Sequence, residues 1–422
     1  MKIIIAGAGF AGLQLARALN NKSGIDILLI DKNNYHQFQP LFYQVATAGL
    51  DASNISFPLR KIFQHSRNVR IHIGEIKIID SRQKTVSTTH CQFQYDVLVL
   101  AQGATTNFFN NEQIESNAFA MKTTVEALQL RHRLIENFEL AAQETDPEKR
   151  KALLTIVIAG AGPTGVEVSG ALAEMKSNVL QKDYPEIDFS EMQIHLVEGS
   201  NRTLANMSKQ SSAQSKKYLE ALGVHVWLNC FVSTFQDNVV SLSNNEKINA
   251  AMLIWAAGIK GNVIEGLQIK DYVKGNRIIV NRYNQLANDS SIYALGDVAY
   301  METPLFPKGC PQVANVAISQ AKLLAKNMLQ VQAGKSNLKM FEYNDKGSMA
   351  TVGRHLAVVD IPVLKLHFGG LFAWLIWMGL HLLLILGVKN RIQVLINWMY
   401  KYFTYDQSLR LLFINTYRKL KN

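Results

Sequence analysis

The sequence predicts an α/β fold with two doubly wound domains and a C-terminal helical region. A complete strand, glycine turn, helix and strand unit occurs twice, at residues 3–31 and again at residues 155–198. An apolar stretch without a formally charged residue then separates Lys365 from Lys389. The 422 residues are enough for two or three domains, each with its own core.

The first unit runs from apolar residues 3–6 into a GxGxxG turn. In such a turn, Gly7 permits the tight bend, Gly9 lets the backbone approach a pyrophosphate, and Gly12 allows helix and strand to pack closely. The next apolar strand ends at Asp31, whose carboxylate can accept hydrogen bonds from a ribose diol. The residues predicted to contact a dinucleotide here are Gly7, Gly9, Phe10, Ala11, Gly12, Asp31 and Lys32.

The second unit repeats the turn with Gly160, Gly162 and Gly165. Its acid, Glu198, comes later than usual because of a polar insertion at residues 176–187. A carboxylate there repels a 2′-phosphate and accepts a hydrogen bond from a 2′-hydroxyl. The second unit therefore predicts NAD rather than NADP.

Three further strand ends complete the pattern. Two apolar strands end in turns of small residues, one at Gly103 and the other at Ala257 and Gly258. Such turns let a nucleotide lie against the backbone. A third strand, 291–295, leads into Asp297, where an acid can bind the hydroxyls of a ribityl chain, which FAD has and NAD lacks. We therefore expect non-covalent FAD in the first Rossmann-like unit and NADH in the second.

The C-terminal region combines apolar and basic character. Residues 368–388 are apolar apart from His381, and about 20 such residues can span a bilayer. Residues 392–403 form an amphipathic pattern typical of a helix in the membrane plane, although a core helix gives the same pattern. Beyond residue 388 the sequence has one acidic residue, Asp406. The basic residues there are Lys389, Arg391, Lys401, Arg410, Arg418, Lys419 and Lys421. With a net charge of +11, this pattern favours a membrane surface over nucleic acid.

We expect an FAD-binding domain of residues 1–108 and 273–345, an inserted NAD-binding domain of residues 109–272, and a membrane-associated region of residues 346–422. The three cysteines lie far apart without metal-ligand spacing, so no metal site or disulfide framework is predicted. The chain begins directly with a strand, so no signal peptide is predicted.

The chain resembles the type II NADH:quinone oxidoreductases, which are single-subunit enzymes that do not pump protons. The more specific motifs lie at residues 34–50, 162–167 and 347–354. The resemblance implies hydride transfer from NADH to FAD and then transfer of two electrons to a membrane quinone. It also implies attachment to the cytoplasmic face of the cell membrane through helices resting in one leaflet. A true membrane span and a homodimer both stay open.

The resemblance also implies roles for individual residues. Glu167 would lie between flavin and nicotinamide and relay protons, although a first-turn acid that stabilises its helix is the alternative. Asn315 and Ser319 depart from the glutamines common in the family, which puts their contact with quinone in doubt. The residues implied for the flavin are Thr47, Ile76, Ala314 and Asn315, and those implied for the quinone are Ser319, Gln320 and Arg354.

Other functions predict different residues. A sulfide:quinone oxidoreductase needs a cysteine pair beside the flavin, and Cys310 has no second cysteine at a matching position. A disulfide reductase needs a CxxC motif, which is absent from the sequence. A membrane-tethered NADH sensor that uses flavin only structurally has the same sequence features, and turnover with quinone separates it from an enzyme.

Overall fold

The computed structural model describes residues 1–406 and 409–412. The end of the predicted C-terminal region, including Arg418, Lys419 and Lys421, lies outside the described residues. The strands are β1 (Lys2–Ala6), β2 (Asp26–Asp31), β3 (Tyr35–Gln37), β4 (Ser56–Pro58), β5 (Val69–Ile73), β6 (Ile76–Asp80), β7 (Thr85–Thr88), β8 (Gln92–Gln94), β9 (Val97–Leu100), β10 (Ala104–Thr106), β11 (Phe119–Ala120), β12 (Ile156–Ala159), β13 (Ile194–Glu198), β14 (Val224–Leu228), β15 (Val232–Gln236), β16 (Val239–Leu242), β17 (Lys247–Asn249), β18 (Met252–Trp255), β19 (Ile259–Gly261), β20 (Tyr272–Val273), β21 (Arg277–Ile279), β22 (Gln285–Leu286), β23 (Asp289–Ala294), β24 (Ala299–Tyr300), β25 (Ser348–Thr351), β26 (Ala357–Ile361) and β27 (Leu366–Gly369). The α-helices are α1 (Phe10–Ala18), α2 (Phe42–Ala46), α3 (Leu59–Ile62), α4 (Glu112–Asn117), α5 (Thr124–Gln143), α6 (Pro147–Leu154), α7 (Pro163–Met175), α8 (Gln181–Asp183), α9 (Lys209–Ala221), α10 (Ala314–Gln332), α11 (Gly370–Leu384) and α12 (Val388–Thr404).

The chain divides into two compact units. Unit 1 consists of Met1–Gln37, Ser56–Thr105 and Ile259–Asp345, and unit 2 consists of Phe38–Ile55, Thr106–Gly258 and Lys346–Asn422. Unit 2 thus includes a segment near the N-terminus as well as the C-terminal region. The expected assignment of domains to cofactors stays a prediction.

Unit 1 is built around a six-stranded sheet in the order β22-β23-β9-β1-β2-β5. Its central strands are parallel, with Ile4 paired to both Leu28 and Leu98. Both faces of such a sheet are covered at its centre, and accordingly β9 is apolar throughout and β1 is apolar apart from Lys2. Helix α1 packs against α10 on this sheet. The strand, turn, helix and strand order predicted for residues 3–31 is confirmed.

Unit 2 contains a five-stranded parallel sheet in the order β11-β18-β12-β13-β14. Helix α7 follows β12 directly, and Gly162 is its N-cap. The polar insertion at 176–187 forms a π-helical turn at Lys176–Leu180 and the short helix α8. The predicted α/β class is therefore confirmed in both units.

The C-terminal part of unit 2 is a three-stranded antiparallel sheet, β25-β26-β27, followed by α11 and α12. Ala373 of α11 packs on Ala357 and Val359 of β26. The apolar stretch 368–388 does not form one helix. Residues 368–369 belong to β27, and Gly387, at φ +77°, separates α11 from α12. No described helix combines the length and hydropathy that a bilayer crossing requires.

Candidate active site

The glycine turn of unit 1 has the geometry of a phosphate cradle. Gly7 has a φ of +101°, and the backbone of Ala101 lies where a side chain on Gly7 would extend. A Cβ added to Gly9 would have no atom within 4 Å, so that face of the turn is open. A Cβ on Gly12 would meet the Gly7 carbonyl oxygen. Anions bind at such helix N-termini because the first backbone N–H groups lack partners within the helix.

Asp31 lies beside this turn at the end of β2. Its carboxylate accepts the backbone N–H of Ala8 at 2.6 Å and that of Asn33 at 2.7 Å. Burial raises the pKa of Asp31, and these two hydrogen bonds oppose the shift. The acid is therefore fixed next to the open turn, where a ribose would lie if a dinucleotide follows the strand end.

The other residues predicted for FAD lie at separate places. Gly103 has a φ of +69° with open space beside it, and Asp297 lies in the 3-10 turn after β23. Thr47 belongs to unit 2 and donates its hydroxyl to the Tyr43 carbonyl oxygen at 2.9 Å. The remaining members, Phe10, Ala11, Lys32, Ile76, Ala314 and Asn315, all lie in unit 1.

Gln320, predicted for the quinone, has a hydrogen-bond partner within unit 1. It is buried in α10, and its Oε1 accepts the backbone N–H of Gly296 at 2.8 Å. This bond holds the turn that carries Asp297. Ser319, its neighbour on α10, also lies in unit 1. A contact of either residue with quinone stays a prediction.

The glycine turn of unit 2 repeats this geometry closely. Gly160 has a φ of +98°, a Cβ on Gly162 would have no atom within 4 Å, and one on Gly165 would meet the Gly160 carbonyl oxygen. Glu198 accepts the backbone N–H of Ala161 at 2.6 Å, as Asp31 accepts that of Ala8.

The neighbouring strand end of unit 2 carries the two small residues predicted for NADH. Ala257 and Gly258 directly follow β18, and the Gly258 carbonyl oxygen accepts the Asn107 N–H at 3.0 Å. Gly160, Gly162, Glu198 and this turn therefore all lie at the carboxyl ends of parallel strands, where open α/β sheets bind nucleotides.

A cleft lies within unit 2, and it encloses about 490 Å³ when the adjoining open solvent is included. It is bordered by α2, α7, α11 and α12 and by the turn after β25. Two predicted functional residues, Glu167 and Arg354, both line it. The full lining is Tyr43, Gln44, Glu167, Ala171, Glu174, Gly353, Arg354, Trp374, Trp377, Trp398, Lys401 and Tyr402.

Glu167 is the fifth residue of α7, one helical turn further in than expected, and its side chain is buried. Burial raises the pKa of Glu167 to about 8. The backbone N–H of Thr351, 3.5 Å from Oε1, and the indole N–H of Trp377 both oppose this shift. The indole does so without hydrogen-bond geometry, since its Nε1 has no partner among the described residues. A carboxyl group with a pKa near 8 can both hold and release a proton at physiological pH.

Charged groups form one side of the cleft. Burial raises the pKa of Glu174, and the positive charges of Lys401 and Arg354 oppose this shift. Burial lowers the pKa of Lys401, and the charge of Glu174 opposes that shift. The Arg354 guanidinium lies 4.4 Å from the ring centre of Tyr402 and 3.6 Å from that of Tyr405. Stacking on two aromatic rings stabilises a guanidinium and fixes its position.

Sequence reasoning missed several residues of this cleft. Glu174 follows Glu167 by seven positions, which is two helical turns, so a shared helix face could have indicated it. Tyr43 and Gln44 lie within the motif at residues 34–50, which assigns them no role. No sequence signal places Trp377 and Trp398 beside Glu167, because that proximity comes from tertiary packing.

Comparisons with known proteins agree with these features. Residues 1–321 match the family model described as pyridine nucleotide-disulphide oxidoreductase, and residues 346–405 match the NDH2 C-terminal domain. The chain is 35% identical over 413 residues to the type II NADH:quinone oxidoreductase NdhA of Mycobacterium tuberculosis, covering 94% of this chain and 86% of that protein. It is 30% identical to the type II NADH:quinone oxidoreductase of Haemophilus influenzae, covering 84% and 86%.

Two solved structures share the fold. NDH2 from Plasmodium falciparum in complex with NADH superposes with a TM-score of 0.89 at 21% identity, covering 98% of this chain and 99% of that one. The sulfide:quinone oxidoreductase of Aquifex aeolicus superposes with a TM-score of 0.72 at 18% identity, covering 99% and 94%.

Proposed function

Because this chain belongs to the type II NADH:quinone oxidoreductase family, we propose that it oxidises NADH through a bound FAD and reduces a membrane quinone without pumping protons. One structural observation supports the proposal independently of family membership. The helix that starts at the second glycine turn carries Glu167 into a cleft that it shares with Arg354 and aromatic residues of the C-terminal region. An acid that exchanges protons thus faces a pocket suited to an apolar, electron-accepting ring.

The residues of unit 1 fit a flavin dinucleotide. The open face at Gly9 leaves room for a pyrophosphate, and Asp31 is held at the end of β2 for a ribose diol. When bound, FAD supplies the redox chemistry, accepting a hydride from NADH and passing two electrons to quinone. We infer that FAD binds non-covalently, because contacts to its phosphates and ribose are sufficient to hold it.

The residues of unit 2 fit NADH. The open face at Gly162 and the fixed carboxylate of Glu198 correspond to the pyrophosphate and the adenosine ribose. A charged Glu198 at that position excludes a 2′-phosphate by repulsion. The chain thus orients NADH and selects it over NADPH.

The cleft of unit 2 serves the quinone. Its indole and phenol rings exclude water from the reacting carbonyl groups, and Arg354 stabilises negative charge that develops on the quinone oxygen. Reduction of a quinone to a quinol consumes two protons. We infer that Glu167, protonated below pH 8, donates one of them and is then reprotonated from solvent.

The surface of the C-terminal region fits the plane of a membrane. Several large apolar side chains of α11 and α12 are more than two-fifths exposed: Leu371, Phe372, Leu375, Leu383, Val388, Ile392, Ile396, Met399, Tyr400 and Phe403. Such a surface is stable when it is buried in the acyl boundary of a leaflet. We propose attachment at the cytoplasmic face, with the quinone arriving from the lipid.

The sulfide:quinone alternative has less support. Burial raises the pKa of the Cys310 thiol to about 11, so the reactive thiolate is disfavoured. Of the other two cysteines, Cys230 is buried and Cys91 is exposed on unit 1.

Turnover tests the proposal directly. The purified protein should consume NADH with a soluble quinone, with one quinone reduced for each NADH oxidised. A parallel reaction with sulfide as the donor should reduce no quinone. Flavin that NADH reduces but no quinone reoxidises would identify an NADH sensor instead.

A further inference from the structure

Hydrogen bonds connect helix α12 to the side chain of Thr351, whose backbone N–H contacts Glu167, within unit 2. The indole Nε1 of Trp398 donates to Gln44 Oε1 at 2.7 Å, and Gln44 Nε2 donates to Tyr43 Oη at 2.9 Å. Tyr43 Oη lies 3.0 Å from Thr351 Oγ1, and the Thr351 backbone N–H donates to Glu167 Oε1 at 3.5 Å. We call these four side chains, Trp398, Gln44, Tyr43 and Thr351, the Trp398 chain.

The direction of this chain is fixed at its outer end. An indole can only donate a hydrogen bond, so the Gln44 amide must present its oxygen to Trp398. The amide nitrogen then donates to the Tyr43 oxygen. In the next link, between Tyr43 and Thr351, either hydroxyl can donate, and the Thr351 backbone N–H contacts Glu167.

Water has little access to the Trp398 chain. Trp398 is 6% exposed, Tyr43 is 7% exposed and Thr351 is 2% exposed, while Gln44 is half-buried. Hydrogen bonds in such surroundings are stronger than in water and hold their side chains in place. The Trp398 donor therefore helps to fix Thr351, whose backbone N–H faces Glu167.

We propose that Trp398 is a positioning residue, which through this chain holds Thr351 so that its backbone N–H stays directed toward the Glu167 carboxyl group. The inference rests on the proposed role of Glu167 in quinone reduction. As a consequence, α12 of the C-terminal region adjusts the proton affinity of Glu167 on α7. The Trp398 chain favours the charged form of Glu167 and so opposes the effect of burial.

Other groups also face Glu167, and the test must separate them from Trp398. The Trp377 indole N–H acts from α11, with His381 stacked on its ring at 4.1 Å. The charged groups of the same cleft are Glu174 on α7, Arg354 after β25, and Lys401 on α12. The Trp377 ring also packs against the ring of Trp398, with ring centres 5.4 Å apart, and a substitution at Trp398 that keeps an aromatic ring retains this contact in part.

Trp398→Phe removes the outer donor and keeps an aromatic ring in place. Trp374→Phe is the matched control, because Trp374 lines the same cleft and stacks on Tyr402 outside the Trp398 chain. The measurement is the rate at which a short-tailed quinone reoxidises the NADH-reduced holoenzyme, as a function of pH. Wild type should lose rate as the pH rises through the Glu167 pKa.

We expect Trp398→Phe to move the midpoint of this loss upward by about 0.5 pH unit, since a weakened chain stabilises the carboxylate less. Trp374→Phe should leave the midpoint in place, whatever it does to the maximal rate. Tyr43→Phe breaks the chain nearer Glu167, so adding Trp398→Phe to it should shift the midpoint no further.

The outcomes separate the inference from the proposed function. If Glu167→Gln leaves the loss of rate at high pH unchanged, the proposed role of Glu167 is wrong. If Glu167→Gln abolishes that loss but Trp398→Phe behaves like Trp374→Phe, the role of Glu167 stands and the positioning role of Trp398 is overturned. Additive shifts in the Tyr43→Phe, Trp398→Phe double variant would likewise overturn the chain.

Discussion

Glu167 accepts a hydrogen bond from the Thr351 backbone N–H at 3.5 Å, although 184 positions separate the two residues in the sequence. Glu167 lies on the helix that follows the second glycine turn, and Thr351 ends the first strand of the C-terminal region. The C-terminal region therefore contributes directly to the surroundings of the acid. We expect it to influence quinone chemistry as well as attachment to a membrane.

Replacing Glu198 should weaken the preference for NADH. In Glu198→Gln, the lost negative charge no longer repels a 2′-phosphate, so the ratio of kcat/KM for NADH to that for NADPH should fall on the order of tenfold. Glu191→Gln is the control, because Glu191 precedes β13 at its amino end and pairs with Arg150. Equal use of both nucleotides by the wild type would show that Glu198 does not select between them.

Matched substitutions at the two glycine turns should separate the cofactors. A valine at Gly12 meets the Gly7 carbonyl oxygen, and a valine at Gly165 meets that of Gly160. We expect Gly12→Val to be purified without flavin absorbance, and Gly165→Val to keep its flavin but lose reduction by NADH. Acid precipitation of the wild type should release the flavin into solution. Flavin loss in Gly165→Val alone would reverse the assignment of the two units.

Charges on the exposed C-terminal surface should release the protein from membranes. Leu383 is 70% exposed and Phe403 is 74% exposed, and burying each in lipid contributes about 2 kcal/mol. The double variant Leu383→Lys, Phe403→Lys should move to the soluble fraction and keep turnover with a soluble quinone. The control variant Val331→Lys, at an exposed position of α10 in unit 1, should stay with the membrane. Sedimentation of the double variant with membranes would exclude this surface as the attachment site.

The sequence predicts local features of the fold well and tertiary ones poorly. Gly7, Gly9 and Asp31 belong to one continuous unit whose spacing dictates its geometry, so strand, turn and acid lie as expected. The apolar stretch after Lys365 looks continuous, yet Gly387 divides it because glycine there adopts a positive φ. The burial of Gln320 against Gly296 depends on packing between distant segments, which hydropathy patterns do not encode.

The pKa of Glu167 likewise depends on tertiary packing, which the sequence does not predict. Burial in the cleft of unit 2 raises it, and burial follows from how α7, α11 and α12 pack together. From the sequence alone, Glu167 is equally consistent with an acid that stabilises its own helix. In the structure, the Glu167 side chain is buried and faces Thr351 and Trp377.

The most direct test of the central claim is a single-turnover comparison of wild type and Glu167→Gln. Each holoenzyme is reduced anaerobically with one equivalent of NADH, and the reduced protein is then mixed with a soluble quinone at a series of pH values. We predict that both proteins are reduced by NADH at similar rates. We also predict that quinone reoxidises the variant roughly 100-fold more slowly, and that only the wild type loses rate as the pH rises through about 8. Equal reoxidation of both proteins at every pH would contradict the account, because Glu167 would then supply no proton to the quinone.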